Sequence, residues 1–508
     1  MKRTRLLLTV LAAASLGLAV TRAQEAPAER PLTLEDCIQL ALEKNLEIRI
    51  QRLTPEISRY ALNGSYWVYE PTLSGGASYR STTQPGGYDE QNRPFGQAQT
   101  STEAWNAAIT GLLPTGGRYE FGSSFNDAFG FREITIDGRP LGVDEFENTS
   151  GGFRFVFSQP LLKNFWIDSA RLSISLNKKN LEISEYTLID QVINTVTQVE
   201  LAYYELVAAR ETIAVAEVGF QLAEQLLREN KKRVEVGVLA PLDEKEAESQ
   251  VAASRATLLG AQNSYATRQN QVKNLLGDHF VEWHMVQLVP RDELTAEPTT
   301  FSLQDSWSKG LTLRPDLQQA KLDLDRRHIT LKYQKNQLWP QLDLTGSYGQ
   351  NGSGSEFSDA FTPVYNADNP EYAFGTVLSI PLAGSRQARA NVRITKAEIE
   401  QALLRLKQLE QNIMVGIADA IAQARTSYQQ AQATQEAAEF AREALRAEQK
   451  KLDNGKSTSF QVLQLQRTLT TRAYENIRAR VDYKASLARL AQSEGSTLDR
   501  HHVNVEFR

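Results

Sequence analysis

The chain has 508 residues, 41% hydrophobic and 23% charged, which fits a folded protein and excludes a disordered one. Its formal net charge is −5, and −9 once residues 1–23 with their four basic side chains are set aside, so it lacks the basic face that nucleic-acid phosphates need. Its one cysteine, Cys37, excludes an intrachain disulfide and any multi-thiolate metal site.

Residues 1–23 read as a secretory signal. Lys2, Arg3 and Arg5 precede an apolar run from Leu6 to Val20, and Thr21-Arg22-Ala23 offers a cut before Gln24. The run is shorter than the ~18 residues a spanning helix needs, and nothing later is longer. An uncleaved anchor is the alternative. Cys37 lies well past this segment in a helical pattern, where it suits a small buried apolar residue rather than a lipid carrier.

Thr33 with Asp36 forms a capping-box pattern, opening a helix that runs to about Tyr69 with a break expected at Pro55. Period-two alternation follows: Leu73, Gly75, Ala77 and Tyr79 on one side, Thr72, Ser74, Gly76 and Ser78 on the other. Trp105 to Leu113 and Tyr119 to Phe125 are further candidate strands around the turn Pro114-Thr115-Gly116-Gly117. Phe153, Phe155 and Phe157 mark a returning strand. No proline interrupts Leu162 to Val234, a helix of ~110 Å if continuous. Within it Ile189, Val192, Val196, Val199, Tyr203 and Leu206 keep the 3-4 spacing of a coiled-coil seam. A turn at Gly237 leads into a second helix ending at 276.

The same order recurs. Ser302 and Asp305 cap a helix that runs to about Leu338, with a break expected at Pro315. Leu342, Leu344, Gly346 and Tyr348, then Tyr372, Phe374, Leu378 and Ile380, alternate as strands. Long helical patterns run from Leu382 to Leu452 and, past Gly455, to 494. Leu34-Glu35-Asp36 matches Leu303-Gln304-Asp305 at an offset of 269, which also carries Pro71 onto Pro340 and Ser78-Tyr79 onto Ser347-Tyr348. Gln159-Pro160-Leu161 matches Ile380-Pro381-Leu382 at 221, and Gly237 matches Gly455 at 218, because the first copy carries extra residues between its strands. The expected organisation is a first copy over 24–301, with strands about 72–159, long helices 162–276 and an inter-repeat segment 278–301. A second copy spans 302–495, with strands about 341–380 and helices 382–494, before a tail at 496–508.

The strands have one greasy side and one of Ser, Thr, Gly and Asn, as outer-membrane barrel strands do. A soluble sheet with one wet face is the alternative. Tyr66, Trp67, Tyr69, Phe165, Trp166 and Trp339 cluster near Pro71, Pro160 and Pro340, as a membrane-interface belt would; a buried aromatic cluster is the other reading. Catalytic signatures are lacking. The five histidines make no HExxH pair, and Gly455-Lys456-Ser457 lacks the upstream glycine of a phosphate loop. No enzyme, cofactor or metal is expected.

With these residues in place the chain resembles the TolC-like outer-membrane efflux proteins. The resemblance rests on Ile38, Ala41, Leu42, Asn45 and Ile48, on Arg314-Pro315-Asp316-Leu317, on Pro160 and Pro381, and on the turns at Gly237 and Gly455. It implies a mixed fold: long antiparallel helical hairpins forming a periplasmic tube, and a β-barrel in the outer membrane contributed by all protomers of a homotrimer. It also implies a periplasmic adaptor and an inner-membrane pump as partners, docking near Gly237 and Gly455. The family's acidic mouth maps onto Asp243 and Glu246 in the first copy but onto the amides Gln461 and Gln464 in the second; the acids could also simply solvate a helix start. The extra first-copy hairpin would raise the strands to six per chain. A soluble periplasmic coiled-coil scaffold is the rival function.

Overall fold

The computed structural model describes residues 28–136, 139–277, 280–382 and 384–505; the signal reading at 1–23 and His279 lie outside them. Strand β1 (Ala28–Leu32) precedes helices α1 (Leu34–Lys44) and α2 (Leu46–Gly64) and a 3-10 turn at Ser65–Tyr69. Strand β2 (Thr72–Gln84) leads through a two-residue ladder, β3 (Gly87–Tyr88) with β4 (Pro94–Phe95), to β5 (Ala98–Leu112), β6 (Arg118–Ile136) and β7 (Arg139–Pro160). Helices α3 (Ser169–Glu235), α4 (Pro241–Leu276) and α5 (Phe280–His284) come next, then β8 (Val286–Pro290). Helices α6 (Leu303–Leu313) and α7 (Pro315–Asn336) follow, then β9 (Gln341–Gly354), α8 (Phe357–Asn366) and β10 (Pro370–Ser379). Helices α9 (Arg386–Asp453), α10 (Ser459–Glu494) and α11 (Thr497–Arg500) complete the chain.

Two compact units share these elements. The first comprises the chain up to Asn45, Gln198–Pro298 and Ser427–Ala485. Here β1 pairs in parallel with β8, from Ala28 opposite Val286 to Leu32 opposite Pro290. Helix side chains hold the β8 segment by its carbonyls. Tyr265 donates to Leu288 O (2.6 Å), Arg210 to Pro290 O (2.6 Å), Arg480 to Leu294 O (2.9 Å) and Tyr483 to Glu297 O (2.6 Å). Backbone groups that a short strand leaves open are thereby satisfied. Buried Tyr203 donates to Asp292 (2.7 Å), whose carboxylate also accepts from Leu34 N (2.9 Å) at the start of α1. Cys37 is buried on α1, and desolvation pushes its thiol up to about 12.

The second unit comprises Leu46–Thr197, Thr299–Thr426 and Ser486–Arg508. Its sheet has six strands in the order β10-β9-β7-β6-β5-β2, each antiparallel to its neighbour. The first-copy hairpin β5–β6 therefore lies within the sheet, between β2 and β7. Register sorts the two faces. One transverse row reads Leu73, Ile109, Phe121, Phe155, Tyr348, Tyr372; the next, on the opposite face, reads Ser74, Ala108, Gly122, Arg154, Gly349, Glu371. Helix α8 lies on the aromatic face. Phe357 and Phe361 meet Phe125 at 5.0 and 6.2 Å, and a Cβ on Gly352 would run into the Ala360 carbonyl. Elsewhere in the unit Leu317, Ile413, Ile417, Ile421 and Leu490 form a buried cluster, and Trp307 donates to Met414 O (2.9 Å).

The break expected at Pro55 falls instead at Asn45. Asn45 takes extended angles (φ −62°, ψ 127°) and donates its amide to Leu275 O (2.9 Å), while Pro55 sits buried inside α2. The proline forfeits one N–H bond, a cost its burial offsets in part. Its counterpart break, at Arg314 before Pro315, does occur, with Arg314 bidentate to Asp316 (2.6 and 3.0 Å). The helix expected from Leu162 begins at Ser169. Asn164 has positive φ (67°), and Asp168 accepts from Arg171 N (2.8 Å) as an N-cap does.

Ile417 is fully buried in the second unit's cluster, so Ile417→Ala should cost about 2–5 kcal/mol. A melt of the full chain followed at 222 nm should show a lower midpoint; an unchanged midpoint would mean that the cluster does not bear on stability.

Candidate functional site

The two interhelical turns have the same construction. After α3, Gly237 takes φ +73°, with Val238 N donating to Arg233 O (2.8 Å) and Gly237 N to Val234 O (2.9 Å). After α9, Gly455 takes φ +69°, with Lys456 N on Lys451 O (2.8 Å) and Gly455 N on Leu452 O (3.1 Å). Both are Schellman closures, which favour glycine because an L side chain is strained at that φ. A Cβ on either glycine would meet no atom within 4 Å, so space alone does not demand them.

The helices that leave these turns place the candidate mouth residues at matching positions. Asp243 is third in α4 and accepts from Ala240 N (3.1 Å); Gln461 is third in α10, its N–H donating to Thr458 Oγ1 (3.3 Å). Glu246 and Gln464 stand one position short of the next turn, both exposed. In the first hairpin the carboxylate at the third position reaches back to the N-cap backbone; in the second the Thr458 hydroxyl accepts the third-position N–H, and that position bears the neutral amide Gln461. Buried Asn230 of α3 joins the two helix starts: its amide nitrogen donates to Asp243 O (3.4 Å), and Ser459 Oγ donates to its oxygen (2.9 Å). Beside it Leu226, Leu445, Leu452, Val462 and Leu463 form a buried cluster.

Several charges near the turns are paired. Lys231 lies 3.9 Å from Glu244 and 3.6 Å from Glu248, and Lys245 bonds Glu248 at 2.7 Å, which holds the Glu248 carboxyl below its ordinary range. Glu448 is likewise lowered, first by the Ser457 hydroxyl it accepts (2.5 Å) and then by Lys451 (2.9 Å).

A second set of candidates gathers at the root of the sheet. Trp67, Trp166 and Trp339 are exposed by 68, 74 and 58%, and Tyr66 is exposed too, while Tyr69 and Phe165 are half-buried. Phe165 meets Trp166 edge to face at 5.1 Å. Asn336 ties the segment before Phe165 and Trp166 to the one before Trp339. Its side chain accepts from Asn164 N (2.6 Å) and donates to Leu162 O (3.3 Å), while Gln337 donates to Asn164 Oδ1 (2.7 Å). These are large apolar side chains left in contact with solvent on three separate segments.

Sequence reasoning missed Asn230, whose one signal is an amide inside a run of charged and apolar residues. It also missed α8, although Phe357, Phe361 and Tyr365 keep an i, i+4, i+8 spacing. Among the described residues no group of His, Cys, Asp and Glu could hold a metal ion, and no helix is long and apolar enough to cross a membrane.

Comparisons with known proteins point one way. The profile of the family described as outer membrane efflux protein matches residues 153–278 and 308–496. Nodulation protein T of Rhizobium leguminosarum bv. trifolii is 21% identical over 64% of this chain and 64% of its own length, a little under two thirds. The outer membrane protein TolC of Vibrio cholerae is 23% identical over 69% of this chain and 77% of its own. Among solved structures, a membrane protein from Pseudomonas aeruginosa superposes with a TM-score of 0.64 at 19% identity, covering 97% of this chain and 96% of that one.

Because Glu448 is lowered in the folded chain, its clasp on Ser457 is complete above the ordinary glutamate pKa of ~4.3 and is lost as pH falls through the lowered value. Hydrogen exchange of the 455–461 amides, corrected for intrinsic rate, should rise in that acid window and not above it. Glu448→Gln should remove the pH step; a step that persists in the variant would assign it to another group. Asn230→Ala, which strips a buried amide from two partners, should cost about 1–3 kcal/mol and speed exchange at both turns. Equal exchange in wild type and variant would mean that Asn230 does not join them.

Proposed function

The chain belongs to the outer membrane efflux protein family, and from that premise we propose that it is a homotrimeric outer-membrane duct that conducts exported substrate out of the cell. The family consists of channel proteins and not enzymes, and its place is the outer membrane. A soluble scaffold is not favoured, because no such protein stands among the relatives described above. In the proposed duct the two sequence copies supply paired helical hairpins for a periplasmic tube, and the sheets of three protomers close one barrel. An inner-membrane pump and a periplasmic adaptor complete a tripartite efflux or type I secretion system, the adaptor meeting the turns at Gly237 and Gly455. The chain supplies a passage and no energy; the pump selects the cargo.

One observation carries this reading. The sheet ends on two uncovered edges, β2 and β10, each exposed along its whole length. Long bare edges on a soluble protein invite aggregation, and barrels remove them by closure. Lipid sharpens the demand, since no water there can satisfy a free N–H or C=O. Exposed tryptophans at the sheet root suit the polar–apolar boundary of a bilayer. At the proposed mouth, Asp243 and Glu246 give one hairpin two carboxylates, and Gln461 and Gln464 give the other none. Three copies then carry half the carboxylates of a mouth with acids on both hairpins.

Outer-membrane fractions should contain the protein as a band whose migration changes on heating; recovery only from the soluble periplasmic fraction would defeat the duct. Across planar bilayers, Asp243→Asn with Glu246→Gln should lower the preference for cations. Unchanged selectivity would place those carboxylates away from the conducting path.

A further inference from the structure

Resting on the duct reading, we propose that the β5–β6 hairpin is part of the barrel wall, so that three copies close eighteen strands around a wide, water-filled bore lined by polar and charged residues. The alternative is a hairpin that folds away from the wall, leaving β2, β7, β9 and β10 to close twelve strands.

The register argues for the wider wall. The hairpin is bonded on both sides without a gap: β2 pairs with β5 from Thr72 to Gln84, and β6 pairs with β7 from Arg118 to Ile134 before its one irregularity. Side chains also stay in phase across all six strands. The row from Leu73 through Ile109, Phe121, Phe155 and Tyr348 to Tyr372 is apolar or aromatic at every position, those from the hairpin included. On the opposite face Gly76, Asn106, Ser124, Gly152 and Asn351 form a row of small and polar residues. A hairpin that left the wall would have no need to keep both rows in step. The polar face is also the hollow one, with Asn106, Glu120, Ser124, Arg154, Asn351 and Glu371 lining a single concavity. The sheet thus curves around its polar side, as a lipid-embedded wall with a wet interior must.

Size follows from strand number. With strands ~4.8 Å apart and tilted by ~40°, eighteen strands give a backbone diameter of roughly 36 Å, against roughly 24 Å for twelve. Glycine, serine and asparagine on the inner face subtract little from that width, and Glu120, Arg154 and Glu371 are the long side chains that share it.

Cysteine scanning of β6 in the full chain tests this, with Cys37→Ala as background. In outer membranes, a charged thiol reagent that does not cross lipid should label Gly122→Cys, Ser124→Cys and Asn126→Cys at least about tenfold faster than Phe121→Cys. On β5, Ala108→Cys and Ile109→Cys repeat the contrast should the phenylalanine variant fail to fold, and native mass of the extracted particle should give three copies. Even labelling along β5 and β6, with alternation kept at Leu73→Cys and Ser74→Cys on β2, would overturn the wide barrel and leave the duct standing. Absence of alternation on β2 as well would overturn both, as would a particle of two copies for the eighteen-strand count.

Discussion

A β-strand that ends a sheet carries a row of backbone donors and acceptors with nothing opposite them. In water they bond solvent; in hydrocarbon each one left open costs several kcal/mol. In this chain β2 and β10 are such strands, of 13 and 10 residues, and the sheet between them has an aromatic side and a small polar side. The rest of the sheet is consistent with one solution to that constraint. Phe121, Phe155 and Tyr348 cover the face that would meet lipid, and Gly122, Gly152 and Ser124 keep the other face open. Tryptophans stand at the root, where chain leaves the sheet. In the proposed duct, closure by further copies is the remaining step, and it requires no new element, only the pairing of edges that already exist.

The helical hairpins face a different requirement, because helices satisfy their own backbone groups except at their ends. The chain meets it at each end separately. Schellman closures at Gly237 and Gly455 use the last carbonyls of α3 and α9. Thr458 caps α10, Asp243 reaches back to Ala240 N at the start of α4, and Asn230 ties the two helix starts together. Replacing an acid by an amide at the third position of α10 is therefore structurally inexpensive, since Thr458 supplies the cap. The same exchange removes charge from the proposed mouth, which makes it a way to alter selectivity without altering the turn.

What the sequence made legible were features with a period. Alternation along Leu73–Tyr79 and Leu342–Tyr348 located strands, uninterrupted 3-4 spacing located α3, and a glycine after each long run located both turns. Features that depend on a partner distant in sequence were not legible. Pro55 promised a break that Asn45 makes instead, because Asn45 finds Leu275 O 230 residues away. The parallel pairing of β1 with β8 joins two five-residue strands with no alternation to mark them. Helix α8 fell inside a span read as strands, although its aromatic spacing was present, because ten residues seldom suggest a helix between two strands. At the proposed mouth, the positions of Asp243, Glu246, Gln461 and Gln464 could be aligned by offset, but Asn230 could not be found without the contact it makes.

Electron cryomicroscopy of the particle extracted from outer membranes is the most direct measurement of whether copies of this chain complete its sheet. The predicted image has three copies around one axis, with β2 of each hydrogen-bonded to β10 of the next and no free edge in the membrane region. A particle in which β2 and β10 are covered by other segments of the same chain, or lie open to water, would contradict it.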